Sequence, residues 1–427
     1  MEFTGLSTDQ APPISAPFRF FLTAPLFGVL AGVFVLLSDS TILMSRYSID
    51  SIVVTHAMTI GFLAFMMLGS ITQMLPVLAG AKIPKVHFVA TTSHALLTVG
   101  TLFMLIGLVR GNYFLEYVAF FCLGIGFMII LTALVIALKG VVNYTPTVRG
   151  IATSVFFAFF IVFMGLYLLL SHMIKDISIA HTIVANVHSV WAIFGFVGTL
   201  IIGVSFQVLP MFYVAPKFKS FCKQKVIWLI SAGLLLWLFL SFFYEEYSIV
   251  AKIWIAIFFL AFATAVWLKL NRRRRPVSDV TVWYWRSASL FLILGTFLWI
   301  FDEYFKHEYI VMVAILIGGF ILSIMIGMVY KIVPFLVWFH LNASGYMNIP
   351  NINEMINKNL ARTQFLFFIA ALIGFVFAFY MPAVLNYSAV SFIISMALLE
   401  YNIVSPALIY RRVKKRKPDF DMSSLQQ

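Results

Sequence analysis

The sequence predicts an all-α membrane protein with twelve transmembrane helices in three pseudo-symmetric four-helix arcs. Three observations carry this expectation. Of the 427 residues, 62% are hydrophobic and only 11% charged, a balance that would leave a soluble domain with a largely apolar surface. Apolar runs of about 20 residues recur from end to end, each long enough for a hydrocarbon core of about 30 Å. Three of these runs share a four-position pattern. Only helices or closed barrels satisfy the backbone in lipid, and runs this long exclude barrel strands.

In chain order the runs lie near 18–38, 52–80, 87–109, 113–138, 150–171, 182–214, 226–244, 248–269, 284–301, 309–339, 363–385 and 388–410. Residues 1–427 read as one polytopic domain with repeats near 18–138, 150–269 and 284–410, and with 1–17 and 411–427 as cytoplasmic tails. The opening MEFTGLSTDQAPPISAP is polar and proline-rich. It lacks the basic start of a signal peptide, so the first apolar helix itself would direct insertion.

The net charge is +13, and its placement argues against nucleic acid. Of the 29 Lys and Arg, only Arg46, Arg110, Lys175, Lys252 and Lys306 fall in one set of loops, and Lys331 lies within a run. The rest sit at the termini or in the alternate loops, including Arg272 to Arg275 and the tail RRVKKRK. This asymmetry is the positive-inside signal and places both termini in the cytoplasm of a bacterial-type inner membrane. The basic stretches also suit anionic headgroups of the lipid bilayer. Cys122 and Cys222 have no CxxC spacing, which suggests neither a disulfide framework nor a thiolate metal site. Cys122 is expected in packing and Cys222 in a loop.

The second helix of each four-helix block carries the repeat. Gly61-Phe62, Gly69, Gln73 and Pro76 match Gly195-Phe196, Gly203, Gln207 and Pro210, and then Gly319-Phe320, Gly327, Lys331 and Pro334. The steps of 8, 4 and 3 residues are the same in all three. At about 100° per residue these positions share a stripe of roughly 120°, where glycines let backbones approach closely. Gln73 and Gln207 are too polar for lipid and are expected inside, bonding carbonyls freed by the proline kink.

Among the eight histidines, His87, His172 and His340 sit near helix ends, where interfacial solvation accounts for them. His56, His94 and His188 lie within apolar runs, and His181 shares a face with His188 two turns on. An intramembrane imidazole is either hydrogen-bonded across helices or a metal ligand. Relative to the glycine stripe, His188 projects onto it and His56 to the opposite side, which predicts separate tasks for the two. Lys331 could snorkel to the headgroups or bind an anionic group. Asp302, Glu303, Glu245 and Glu246 are expected on the outer surface. Met58, Met66, Met67 and Met74 read as core filler that would also suit copper.

With His56 in the outer part of the second helix, HAMTIGFLAFMMLGSITQMLPVLAG resembles the catalytic subunit of heme-copper oxidases, in a form lacking the oxidase motifs. It is also similar to the NnrS family of heme- and copper-associated membrane proteins. The resemblance implies an axial heme ligand at His56 and a copper ligand near His188, with His94 as a further candidate for cofactor and His181 for metal. The cofactors so implied are heme b or copper. The histidine pairs those oxidases place on helices 7 and 10 are missing, because 226–244 and 309–339 contain none and His307 falls too early. Oxygen reduction by that mechanism is therefore excluded. The expected role is respiratory or nitric-oxide-related metal chemistry, and the sequence leaves catalysis open. An electron-transfer or assembly partner would go with such a cofactor, and no pattern in the chain identifies one. No P-loop, HExxH or GxSxG stands in a suitable context. The competing expectation is a cofactor-free transporter with a polar path lined by histidines and Lys331.

Overall fold

The computed structural model describes residues 10–38, 45–175, 179–274, 279–302, 304 and 309–420. His307, Glu303 and Lys306 lie outside the described residues. Among those described there are helices and no strands. We number the long helices α1 (Ser15–Leu37), α2 (Ile49–Ala79), α3 (Val86–Arg110), α4 (Tyr113–Lys139) and α5 (Pro146–Met173). They continue with α6 (Ile179–Val190 running on to Thr199–Tyr213), α7 (Ser220–Phe243), α8 (Ser248–Asn271) and α9 (Val280–Ile300). The last are α10 (Tyr309–Val313 running on to Ser323–Ala343), α11 (Lys358–Ala378) and α12 (Leu385–Lys414).

Among the described residues, eleven of these helices are long and apolar enough to cross a membrane, which fits a multi-pass membrane protein. The exception is α9, whose first half reads VTVWYWRSAS. Local chemistry sets the helix ends. The side chains of Ser48, Asn112, Thr145, Asp279 and Asn357 each accept a backbone N–H of the first turn they cap, satisfying donors that have no partner within the helix. Gly80 and Gly111 end α2 and α3 at φ of 64° and 60°, the left-handed region where a side chain would be strained. Cys222 lies in the first turn of α7 and not in a loop.

The three repeat-bearing helices are the most buried. Their apolar stretches are 67% buried in α2 and 72% in both α6 and α10, against 28% in α5, α7 and α11. They meet around a narrow cavity of about 50 Å³ lined by Met66, Met67, Met74, Met325 and Met328. Each also contains a π-helical stretch at the Gly-Phe pair: Ala57–Ala64, Trp191–Gly198 and Ala314–Leu322. A π-bulge inserts extra chain into an α-helix and turns everything beyond it.

The repeat glycines lie at close helix crossings. A Cβ on Gly61, Gly195 or Gly319 would fall less than 3.0 Å from the ring of Phe27, Phe157 or Phe291 respectively. Eight residues on, a Cβ on Gly69 would meet Phe20 Cβ at 3.0 Å, one on Gly203 would meet Gly150 Cα at 2.6 Å, and one on Gly327 would meet Tyr284 Cβ at 2.8 Å. The partners Phe20 and Phe27 on α1, Gly150 and Phe157 on α5, and Tyr284 and Phe291 on α9 are each seven residues apart. The repeat therefore extends to the preceding helix, where residue identity changes and only spacing is kept.

The end of the bundle where α1 begins and α12 finishes is called the terminal end below, and the opposite end the far end. At the terminal end the segment after α12 docks on the α10–α11 turn. Asp419 accepts N–H bonds from Met347 (2.7 Å) and Asn348 (3.1 Å). These bonds hold its carboxyl below the usual carboxylate range.

Candidate functional site

The structure brings His56 and His188 together. Their rings lie 6.4 Å apart between centroids, with planes inclined by 26°. His56 is the last residue before the π-helical stretch of α2, and His188 stands three residues before that of α6. His56 Nδ1 is 2.8 Å from the Ile52 carbonyl one turn back. His188 Nδ1 is 3.0 Å from the Ile161 carbonyl on α5. A carbonyl oxygen only accepts, so each Nδ1 carries the hydrogen and each Nε2 the lone pair. No hydrogen bond reaches either Nε2 among the described residues. Gly165 makes room for the second ring, since a Cβ there would sit 3.1 Å from His188 Cε1.

The projection of these two rings to opposite sides is corrected by this geometry. A constant 100° per residue does not carry across a π-helical stretch, so a projection from the glycines misplaces a histidine on its other side.

The other predicted residues do not join the pair. The Thr23 hydroxyl donates to the Arg19 carbonyl (2.9 Å), so His94 Nε2, 2.8 Å from Thr23 Oγ1, is the donor and is not a free ligand atom. The His94 ring packs edge-on against Phe20 and Phe65. Phe65 lies nine residues beyond His56, on the other side of the π-helical stretch Ala57–Ala64. His181 pairs with Ser171 Oγ at 2.7 Å across α5 and α6, and lies about 10 Å along the axis from His188 at that rise. Gln73 is buried with its Oε1 unpartnered, and Gln207 is half-buried. Neither glutamine makes the expected bond to a freed carbonyl among the described residues.

Lys331 is engaged at the terminal end. Its Nζ donates to Asp279 Oδ2 at 2.5 Å and lies 5.8 Å from the centre of the Tyr213 ring. Asp279 Oδ1 meanwhile accepts from the Thr281 hydroxyl (2.6 Å) and N–H (3.0 Å), and Tyr213 donates to Thr281 Oγ1 (2.9 Å). Burial alone would raise the Asp279 carboxyl. The Lys331 charge and these donors outweigh it and hold the group below its ordinary range. Lys331 is thus ion-paired with Asp279 at the terminal end.

The sequence reading misplaced one polar residue and missed several others. Asp302 is buried, not on the surface, and both its oxygens accept from Lys252 Nζ at 2.7 Å. Glu116 is fully buried, bonded to His172 Nδ1 at 3.0 Å through one oxygen only. Glu400 stands mid-way along α12 with its Oε2 buried and unpartnered. Gln364 anchors a buried network of Tyr284, Tyr330 and Ser395, extended by Asn402 bonding Tyr330 at 3.0 Å. A scan for lone carboxyls and amides inside apolar runs would have found Glu400, Gln364 and Asn402. The partners of Gln364 and Asn402, being on other helices, carry no signal at short spacing.

Among the described residues no group of three or more His, Cys, Asp and Glu is arranged to hold a metal. The methionines expected to suit copper divide, with Met66, Met67 and Met74 on the central cavity and Met58 on a separate one of about 140 Å³. Comparison with protein-family models finds none that matches this chain, and none of the curated proteins matches it either.

Proposed function

We propose that this chain is a membrane metal protein that holds a copper ion between His56 and His188. The observation that supports it is the pair of bare Nε2 atoms, each ring fixed by a hydrogen bond from Nδ1 to a carbonyl. Such a bond sets the tautomer and orientation of a metal-ligating histidine. Imidazole–metal bonds of about 2 Å on either side of one ion, with the ring radii, span about 6 Å between centroids. Imidazole suits copper, and a cuprous ion is content with two ligands, whereas a structural zinc needs four. When bound, the ion would supply one-electron chemistry. The chain's own part is to hold the two nitrogens by fixing each ring through its carbonyl bond.

The wider reading keeps twelve transmembrane helices in three arcs, termini in the cytoplasm of a bacterial inner membrane, and an oxidase-like architecture with a respiratory or nitric-oxide-related role. The matching π-helical stretches and glycine crossings support the arcs. Heme is a second reading of the same nitrogens, since two axial imidazoles bind a heme iron equally well. The engagement of Lys331 by Asp279 weakens the reading of a transport path lined by histidines and Lys331.

Metal analysis and visible spectroscopy of the purified protein test the proposal. About one copper per chain is expected, lost in His56→Ala and in His188→Ala. A Soret band with the same dependence would replace copper by heme. Absence of both would overturn the metal reading and favour the transporter.

A further inference from the structure

A groove of about 700 Å³ runs along the open face of α3 and α4. Its walls are apolar, and Phe88, Phe121, Ile125 and Ile136 on them are exposed. From Phe120 to Ile136 it follows α4 for about 24 Å at 1.5 Å per residue. That is most of a hydrocarbon core of about 30 Å. Gly124 lets Leu166 of α5 close one side, since a Cβ there would stand 3.3 Å from Leu166 Cδ1. Among the described residues the only charge lining the groove is Lys85, at the terminal end just before α3 begins. Lys85 holds φ 44° and ψ 44°, a left-handed conformation that is costly for any residue with a side chain. At other left-handed bends the chain uses Gly80 and Gly111, and here it keeps a lysine. Lys82 and Lys139 at the same end are exposed as well. No Asp or Glu occurs from 80 to 110 or from 117 to 145, so no carboxylate of these segments answers that charge.

We infer that this groove binds one anionic phospholipid, with an acyl chain along α4 and the phosphate at Lys85. The occupant has to be apolar over most of its length and negative at one end. In a bilayer that describes an anionic lipid. A zwitterionic lipid would cover the apolar wall equally well but gain little at Lys85, because its own ammonium opposes the lysine. Each Lys near the surface favours an anionic headgroup roughly fivefold. Ligand sites run from about 300 to 1,000 Å³, a range that includes this groove. The site differs from the general attraction of basic loops for the bilayer, because apolar wall and charge meet in one place. It is independent of the metal reading, since neither His56 nor His188 lines the groove.

Photo-crosslinking of the full chain in phosphatidylcholine vesicles tests it, with a diazirine on one acyl chain of a phosphatidylglycerol or phosphatidylcholine probe and adducts mapped by mass spectrometry. Adducts of the phosphatidylglycerol probe should concentrate on 120–136 of α4, roughly fivefold above those of the phosphatidylcholine probe. Lys85→Gln should bring the first probe down to the level of the second. Thr132 is exposed and lines the groove, so Thr132→Phe fills it without crowding the core and should reduce adducts from both probes. Lys358, exposed at the start of α11, does not line the groove, and Lys358→Gln should change nothing. Melting curves in detergent confirm that each variant folds. Adducts spread evenly over the lipid-facing helices, equal labelling by the two probes, or an undiminished preference in Lys85→Gln would each overturn the inference. A groove left unlabelled while neighbouring helices react would mean that a second copy of the chain covers it, and would overturn the inference too.

Discussion

α2 and α6 can be set against α10. All three carry the same glycines, the same kinking proline and a π-helical stretch over the same Gly-Phe pair. Two of them place an imidazole just ahead of that stretch. In α10 the matching positions are Ala314, for His56, and Met312, for His188. At the proline end the relation inverts, because α2 and α6 carry glutamines where α10 carries a lysine in an ion pair. The shared features thus serve packing, and the polar side chains differ from copy to copy. Packing is set by backbone approach, which all three crossings need. A ligand pair needs only the two helices that face each other at the right depth.

The largest expected effect breaks what the three have in common. In Gly203→Leu the new side chain meets the backbone of Gly150, which cannot move aside as a side chain can. A loss of about 3 kcal/mol or more is expected, beyond the usual 1–3 kcal/mol of overpacking. Gly69→Leu and Gly327→Leu press first on side chains, with the Pro17 and Thr281 carbonyl oxygens farther off at 3.2 and 3.6 Å, and should cost less. Thermal melting in detergent ranks them, and equal melting of all three with the parent would remove the packing device.

The next effect separates α10 from the other two. His56→Ala and His188→Ala should each lose the bound metal, while Met312→Ala in α10 should keep it. Metal content per chain decides between them. Retention of metal by the histidine variants would show that the shared π-helical stretch, and not the imidazoles, is what matters there.

A smaller effect lies in the ion pair that distinguishes the proline end of α10. Lys331→Met should cost no more than about 1 kcal/mol, since Asp279 is 40% exposed and solvent screens such pairs. The Asp279 carboxyl titrates lower in the folded chain than its ordinary value. Its contribution is therefore complete above the usual carboxylate pKa of about 3.9 and fades as pH falls through the lower folded value. Melting of the Lys331→Met variant should accordingly depend less on pH in the acid range than that of the parent. An unchanged acid profile would remove the pair from the account.

The smallest is Gly165→Ala. Its methyl would press on His188 Cε1 and should loosen metal binding by a few-fold, with melting within about 0.5 kcal/mol of the parent. Equal affinity would mean that the ring has room to spare.

The helices were legible because lipid imposes length and apolarity on each run separately. The observed ends at Leu37, Arg110 and Lys139 fall within two residues of those read from composition. The glycine motif was legible for a related reason, because backbone approach tolerates no substitute at the crossing. On the partner helices the motif was invisible. Phe20, Gly150 and Tyr284 serve the same crossing with unlike side chains, and only their seven-residue distance to a phenylalanine is kept.

The candidate site divides the same way. That interior histidines were present, and that His56 and His188 were among them, is plain in the sequence, since an imidazole in an apolar run needs a reason. Only the tertiary structure paired them and freed both Nε2 atoms, through carbonyls at Ile52 and Ile161 that no residue type announces. It likewise set His94 against Thr23 and Lys331 against Asp279. Residue type and spacing govern what a helix can bury along its own axis. Which atoms meet across helices depends on π-helical turns and crossing geometry that shift each face by more than one residue, and local spacing does not encode that shift.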